Sequence, residues 1–370
     1  MKTLYSGFDT IILAVQGALA PASLEHLERS KLKAKEADAE YLTKLGKPAR
    51  DVHVRSHGQQ GGYAYVINTG SLGEHICFKN SLDRTKWNGL VKLRSVTLAV
   101  LGWRKAVEQA MKALSDIGFH VAEVSMNRVD YCIDILNAPL ILDPKNFVAH
   151  ARMTKTAYSE RCTDVSRGDT CETVTIGKSP GLQVTIYDKR REVIAKKKPY
   201  WFEIWKIDPT DITLTVHRVE IRAGKNELKK YGLTTWDDFE RIIGDIINAA
   251  IKRIRYIEAR EDNSNISRQP LHPTWLHVKH HVEGDLLDHV SNTEPARVLH
   301  VLRKQKSQEY LSQIIGLMAG LAVCENIDLE HVGNHGTEHV LKAILDMGYA
   351  EKSPLRRAYV RARDRLVFIV

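Results

Sequence analysis

No stretch of this chain is apolar enough to cross a bilayer: the run Thr10 to Gln16 covers only a few residues and follows the acidic Asp9. A span needs roughly 20 apolar residues, and a signal peptide needs basic rather than acidic flanks. Neither is expected here, and the chain reads as cytoplasmic. Cysteine is scarce and scattered, with five residues at 77, 132, 162, 171 and 324 that make no C-x-x-C pair and no zinc-finger spacing. That excludes a disulfide scaffold and fits free thiols in a reducing compartment. Dinucleotide-binding and P-loop glycine patterns are missing, as are internal repeats and low-complexity tracts.

What remains is an ordinary globular composition, 43% hydrophobic and 27% charged, which argues against wholesale disorder. At 370 residues the natural organisation is one large unit of strands and helices with a smaller one appended. Lys plus Arg outnumber Asp plus Glu by 54 to 45, giving a net charge of +9 and a pI near 9.1. Such a surplus attracts a polyanion by counterion release, so nucleic acid is the leading partner, although many basic proteins never touch it.

Phe8 to Val15 reads as a strand and Pro21 to Glu40 as an amphipathic helix, followed by a polar, glycine-rich stretch. Tyr63 to Ile67, Glu74 to Lys79 and Val91 to Leu101 are β-like runs of branched and aromatic residues. Arg104 to Ile117 carries the apolar spacing of a buried helix face and ends at Gly118. Val124 to Leu136 is the next strand, then a helix-like stretch from Pro144 to Thr154. Glu172 to Ile176 and Leu182 to Lys189 flank a Gly-Lys-Ser-Pro-Gly turn, the mark of a hairpin. Thr213 to Arg222 is a strand, and Trp236 to Glu258 a long helix. This mixture predicts an α+β fold, a mixed or antiparallel sheet packed by helices. The division expected is 1–262 as the principal domain, 263–277 as a breaker-rich linker, and 278–370 as a smaller helical unit, with a winged-helix-like form among its options. Its helices are expected at Ala296 to Leu302, Ser307 to Leu321 and Thr337 to Met347, before a basic tail from Lys352 to Arg365 and a strand-like Leu366 to Val370.

Three segments carry chemistry. In Arg128-Val129-Asp130-Tyr131-Cys132-Ile133-Asp134 the two-residue strand period puts Arg128, Asp130, Cys132 and Asp134 on one face. Carboxylates there need a cation, a shared proton or an arginine. In His217 to Arg222 the same alternation gathers Arg218, Glu220 and Arg222, an inventory suited to a divalent ion and a phosphate. A plain cross-strand salt bridge would use the same residues. The third segment, Gly177 to Glu192, feeds Tyr187, Asp188 and Lys189 into a basic cluster. A phenol with its usual pKa near 10 attacks phosphorus only with help from a cation or a metal, and most strand tyrosines simply pack.

Together and in this order, Arg128/Asp130/Asp134, then Gly177/Tyr187/Asp188/Lys189, then Arg218/Glu220 ahead of a long helix resemble the replication initiation factor family. These are the tyrosine transesterases of rolling-circle plasmids, some filamentous phages and related conjugative-element relaxases. Phe8-Asp9-Thr10 looks like the family's opening strand, so the resemblance runs from about residue 8 to about residue 260. It implies a catalytic domain that nicks and rejoins origin DNA in a bacterial host, with Mg2+ or Mn2+ as cofactor, a 5′-phosphotyrosine intermediate and a free 3′-hydroxyl that primes synthesis. Asp130, Asp134 and Glu220 carry over as metal ligands and Tyr187 as nucleophile, with Lys189 and Arg218 as phosphate-side helpers. Implied partners are origin DNA, double-stranded and then single-stranded, and a host helicase and polymerase. A homodimer stays open, and no membrane is involved.

A rival nicking class holds its metal with two histidines separated by one apolar residue, and none of the 16 histidines is placed so. His277, His280 and His281, and the pair His335 and His339, lack accompanying acidic or cysteine ligands and read as surface or packing residues. Two further readings stand beside nicking: a basic DNA-binding regulator whose sheet carboxylates are merely structural, and a conjugative relaxase with the same chemistry.

Overall fold

Two 18-residue strands, β1 (Lys2–Leu19) and β7 (Phe119–Leu136), lie side by side along their whole length and form the spine of the molecule. The computed structural model describes residues 1–324 apart from 71, 150–152, 154, 159–172, 197, 259–268 and 287–294, together with 338, 342, 358 and 359. Between the spine strands come α1 (Pro21–Glu36), β2 (Tyr41–Leu45), β3 (Arg50–Val54), β4 (Tyr65–Asn68), β5 (His75–Phe78), β6 (Trp87–Leu93), α2 (Ser95–Leu101) and α3 (Trp103–Asp116). After β7 come β8 (Phe147–Ala149), β9 (Lys155–Tyr158), β10 (Thr173–Gly177), β11 (Leu182–Asp188), α4 (Lys189–Ala195), α5 (Tyr200–Trp205) and β12 (Val216–Gly224). α6 (Lys225–Lys230), α7 (Trp236–Arg253), β13 (Ile254–Tyr256), α8 (Pro273–Asp285) and α9 (Pro295–Cys324) complete the described elements.

Eleven strands form one sheet in the order β2-β3-β4-β5-β6-β1-β7-β12-β11-β10-β9, and every neighbouring pair is antiparallel. The α+β expectation is met. Alternation along β7 and β12 sends Val129, Tyr131, Ile133, Val219 and Ile221 to one face, where they are buried. On that side Phe8 packs edge-on to Tyr131 and against Phe239 of α7, and the Tyr131 hydroxyl donates to Asp285 of α8 at 2.7 Å. The other face of the same strands carries the charged residues. A capping box joins Thr235 to Asp238 at the start of α7, whose apolar stripe from Phe239 to Ile251 supplies much of the core.

Several local expectations are corrected. Ser95–Leu101 is a helix and not a strand, because its buried Thr97 and Leu98 settle on β1 and packing overrides β-propensity. The segment from Pro144 is one 3-10 turn followed by β8, which pairs with β13 so that Phe147 stacks on Tyr256. α7 therefore stops at Arg253 instead of Glu258. The polar stretch after α1 holds the hairpin β2–β3, with Leu45, Val52 and Val54 buried. The helices expected at 296–302 and 307–321 are one continuous α9, since Arg303 to Lys306 are all good helix formers with no breaker between.

The chain divides into two units, one of Met1–Lys229 with Leu233–Asn292 and one of Lys230–Gly232 with Thr293–Val370. α8 belongs to the first: Trp275, Val278 and Val282 are buried and His277 bonds Thr3 of β1 at 2.8 Å. Residues 278–285, expected in the C-terminal unit, thus sit with the sheet. Residues 263–268 of the expected linker, most of the helix at 337–347, most of the basic tail and all of the strand at 366–370 lie outside the described residues. No helix among the described residues is long and apolar enough to cross a membrane.

Candidate active site

The polar face of β7, β12, β11 and β10 is laid out in rows by the register. Asp134 stands opposite Arg218, which stands opposite Tyr187, which stands opposite Thr173. The next row is Cys132, Glu220, Thr185 and Thr175, and the next Asp130, Arg222 and Gln183. The β10–β11 turn needs its glycine: Gly177 has φ +85°, and a Cβ there would stand 2.1 Å from the Leu182 carbonyl oxygen. That turn sets the register that brings Tyr187 opposite Thr173.

All six expected site residues are on this face or at its edge, but their partners divide them. Asp134 accepts two hydrogen bonds from Arg218, at 2.5 and 2.7 Å, and a third from the Trp205 indole at 2.8 Å. Arg218 is completely buried, donates as well to Asp9, and lies 4.4 Å under the Trp201 ring. Asp9 reaches it from β1 because a bulge between Phe8 and Thr10 makes Asp9 the extra residue and re-aims its side chain. Asp130 is held by both ends of Arg128, at 2.6 and 2.8 Å, while Glu220 accepts from Arg222 at 2.8 Å and from the Tyr187 hydroxyl at 3.0 Å.

The three carboxylates are therefore not gathered around one point, and among the described residues no three His, Cys, Asp or Glu side chains could hold a metal ion. Asp130 and Asp134 are four residues apart on a regular strand, roughly 13 Å at 3.3 Å per residue. Asp134 also has both oxygens committed. Asp130 and Glu220 are diagonal neighbours, each oxygen engaged by one donor, so they retain lone pairs that suit a hard cation.

Lys189 begins α4 rather than ending β11, with Asp188 capping that helix through the Arg191 amide at 2.9 Å. Its ammonium lies 5.7 Å from the Tyr187 ring, 5.2 Å from Trp201, and 2.7 Å from Glu192. Lys189 is 3% exposed, so it and Arg218 are enclosed cations, whereas Arg222 and Arg128 are 30% and 37% exposed.

Electrostatics follow from burial. The Asp130 carboxyl is pushed up to about 6, by enclosure first, with Arg128 opposing and Glu220 assisting. Burial also pushes Glu220 up, but Arg222, with Arg218 and Lys189, outweighs it and leaves the carboxyl below its ordinary range and ionised. Tyr187 is raised above the ordinary phenol range, by burial and then by Glu220, with Arg218 pulling the other way. The phenol is thus a hydrogen-bond donor aimed at an ionised acceptor.

Beside Tyr187 opens a groove of about 390 Å3 lined by Thr173, Thr175, Thr185, Arg191 and Arg222 among others. Sequence reasoning missed Asp9 as a partner of Arg218, gave Glu192 no role, and missed Trp201 and Trp205 altogether. The one available signal was Tyr200-Trp201-Phe202 with Trp205, a dense aromatic cluster just after the basic run.

No family model matches the sequence, and no curated protein matches it. A solved structure of a rolling-circle replication initiator protein from Geobacillus stearothermophilus is similar over 75% of this chain and 96% of that chain, at 15% identity and a TM-score of 0.43. At that level the likeness decides neither fold nor chemistry, and both are left to the residues themselves.

Proposed function

We propose that the chain nicks and rejoins DNA at a replication origin as a rolling-circle initiator. One observation carries the reading: the Tyr187 phenol donates to the ionised Glu220 at 3.0 Å on the rim of a cationic groove. The phenolic oxygen attacks phosphorus, the bond to the 3′-oxygen breaks, and the 5′-phosphate stays on Tyr187. Glu220 receives the phenolic proton, and the departing 3′-oxygen takes one up to become the hydroxyl that primes synthesis. Rejoining is the reverse displacement. Magnesium or manganese belongs to this proposal, with Asp130 and Glu220 as the residues that would hold it. When bound, the ion would neutralise charge on the phosphate. Asp134, together with Asp9, would keep Arg218 in place beside Tyr187.

The competing reading, a DNA-binding regulator without catalysis, is favoured by the pairing of every carboxylate oxygen of Asp130, Asp134 and Glu220 within the protein. Incubation with supercoiled plasmid carrying the protein's own origin separates the two. Nicking dependent on magnesium or manganese, with a covalent adduct that Tyr187→Phe abolishes while origin binding persists, supports the enzyme. Binding without cutting supports the regulator, and an adduct on another residue refutes Tyr187 as nucleophile.

A further inference from the structure

Lys189 and Arg218 are enclosed and already paired, so some other cation has to meet a phosphate brought to Tyr187. We propose that the groove beside Tyr187 is a seat for the sugar-phosphate backbone of the strand being cut, with Arg222 as its phosphate anchor and Thr185 as a neutral donor. This rests on the reading of Tyr187 as nucleophile for its direction, and on the groove itself for its chemistry.

The register fixes the layout. Thr173 lies directly across from Tyr187, and Thr175 across from Thr185, so three hydroxyls and one phenol share a patch on two adjacent strands. Thr175 donates to Thr185 at 3.5 Å, which leaves the Thr185 O–H for a visitor. Arg222 has five N–H donors and spends two, one on Glu220 at 2.8 Å and one on Gln183 at 3.4 Å. Those two bonds hold the guanidinium in one orientation, and its 30% exposure leaves the rest of the fork accessible. A pre-oriented, half-exposed fork suits a phosphate's two oxygens.

Glu220 pairs with one N–H of Arg222, while the acidic side chains that line the groove, Asp188 and Glu192, are engaged elsewhere. Asp188 caps α4, and Glu192 is taken by Lys189 at 2.7 Å, Lys198 at 2.9 Å and Lys196 at 3.4 Å. Among the described residues Tyr187 is the one aromatic side chain that lines the groove. A guanidinium and a hydroxyl are the groups that contact phosphate and sugar oxygens and position a strand.

The test is binding of a fluorescein-labelled oligothymidylate by anisotropy in EDTA across a salt series, with the full chain. Arg222→Met should weaken binding about tenfold or more and reduce the salt slope by about 0.7, the loss of one phosphate contact on a single strand. The near-isosteric variant Thr185→Val should weaken binding severalfold with the slope unchanged, because it removes a neutral donor. If Arg222→Met fails to fold, the threonine variant decides alone. Affinity and slope like wild type in the threonine variant, or in a folded Arg222→Met, overturn the seat. Because the binding assay reads no cutting, the two ideas fail separately: weakened binding in the variants, with a wild type that never forms an adduct, sinks Tyr187 as nucleophile and keeps the seat. An adduct at Tyr187 with unaltered binding does the reverse.

Discussion

Replacing Asp134 by Asn asks whether this carboxylate serves an ion or an arginine. Arg218 is fully buried and has two charged partners, Asp134 through two hydrogen bonds and Asp9 through one. Removing one partner of a buried ion pair costs about 3–5 kcal/mol, because the remaining charge is stranded away from water. Asn keeps one oxygen able to accept from Arg218 but loses the charge, which places the cost near the lower end, about 3 kcal/mol. In a unit of this size that lowers Tm by about 6–10 °C. The assay is urea and thermal unfolding in EDTA, followed by tryptophan fluorescence, since Trp201 and Trp205 cover this cluster. A carboxylate kept for a cation behaves in the opposite way: without the ion its charge is a burden, so Asn raises stability in EDTA. Asp134→Asn as stable as wild type or more so, with magnesium stabilising wild type but not the variant, would refute the assignment of Asp134 to Arg218.

Two pH effects of opposite sign are expected from the same face. The folded value of Asp130, about 6, lies above its unfolded value near 3.9, so the native state binds more protons between them. Stability contributed there falls as pH rises from about 4 to about 6, by at most about 3 kcal/mol, and Asp130→Asn should flatten that part of a urea-midpoint series. Glu192 behaves conversely: burial raises its carboxyl, but Lys189 and Lys198 outweigh burial and hold it down at about 2. Its contribution is complete above about 4.5 and is lost as pH falls toward 2, so Glu192→Gln should remove about 3 kcal/mol at neutral pH and little near pH 2. A variant with wild-type stability at neutral pH would contradict the pairing with Lys189.

The sequence by itself determined the elements with a strong period and the face on which each strand carries its charges. Alternation along Arg128 to Asp134 and along Arg218 to Arg222 placed acid and base on one side of β7 and β12, and the Gly177 turn marked the hairpin that presents Tyr187. Those are local properties, set by a period of two and by one positive φ. Which charges meet was decided only by the tertiary structure. β1 lies against β7, so a bulge brings Asp9 to Arg218, a residue 209 positions away in the chain. α5 lays Trp201 over the same guanidinium and sends the Trp205 indole N–H to Asp134. Strand period can put Asp130, Asp134 and Glu220 on one face, but distance along the strand and the arginine each carboxylate pairs with decide whether they converge. Here the register gives Asp134 to Arg218 and leaves Asp130 and Glu220 as neighbours, because pairing across strands is set by the whole sheet and not by any one strand's sequence.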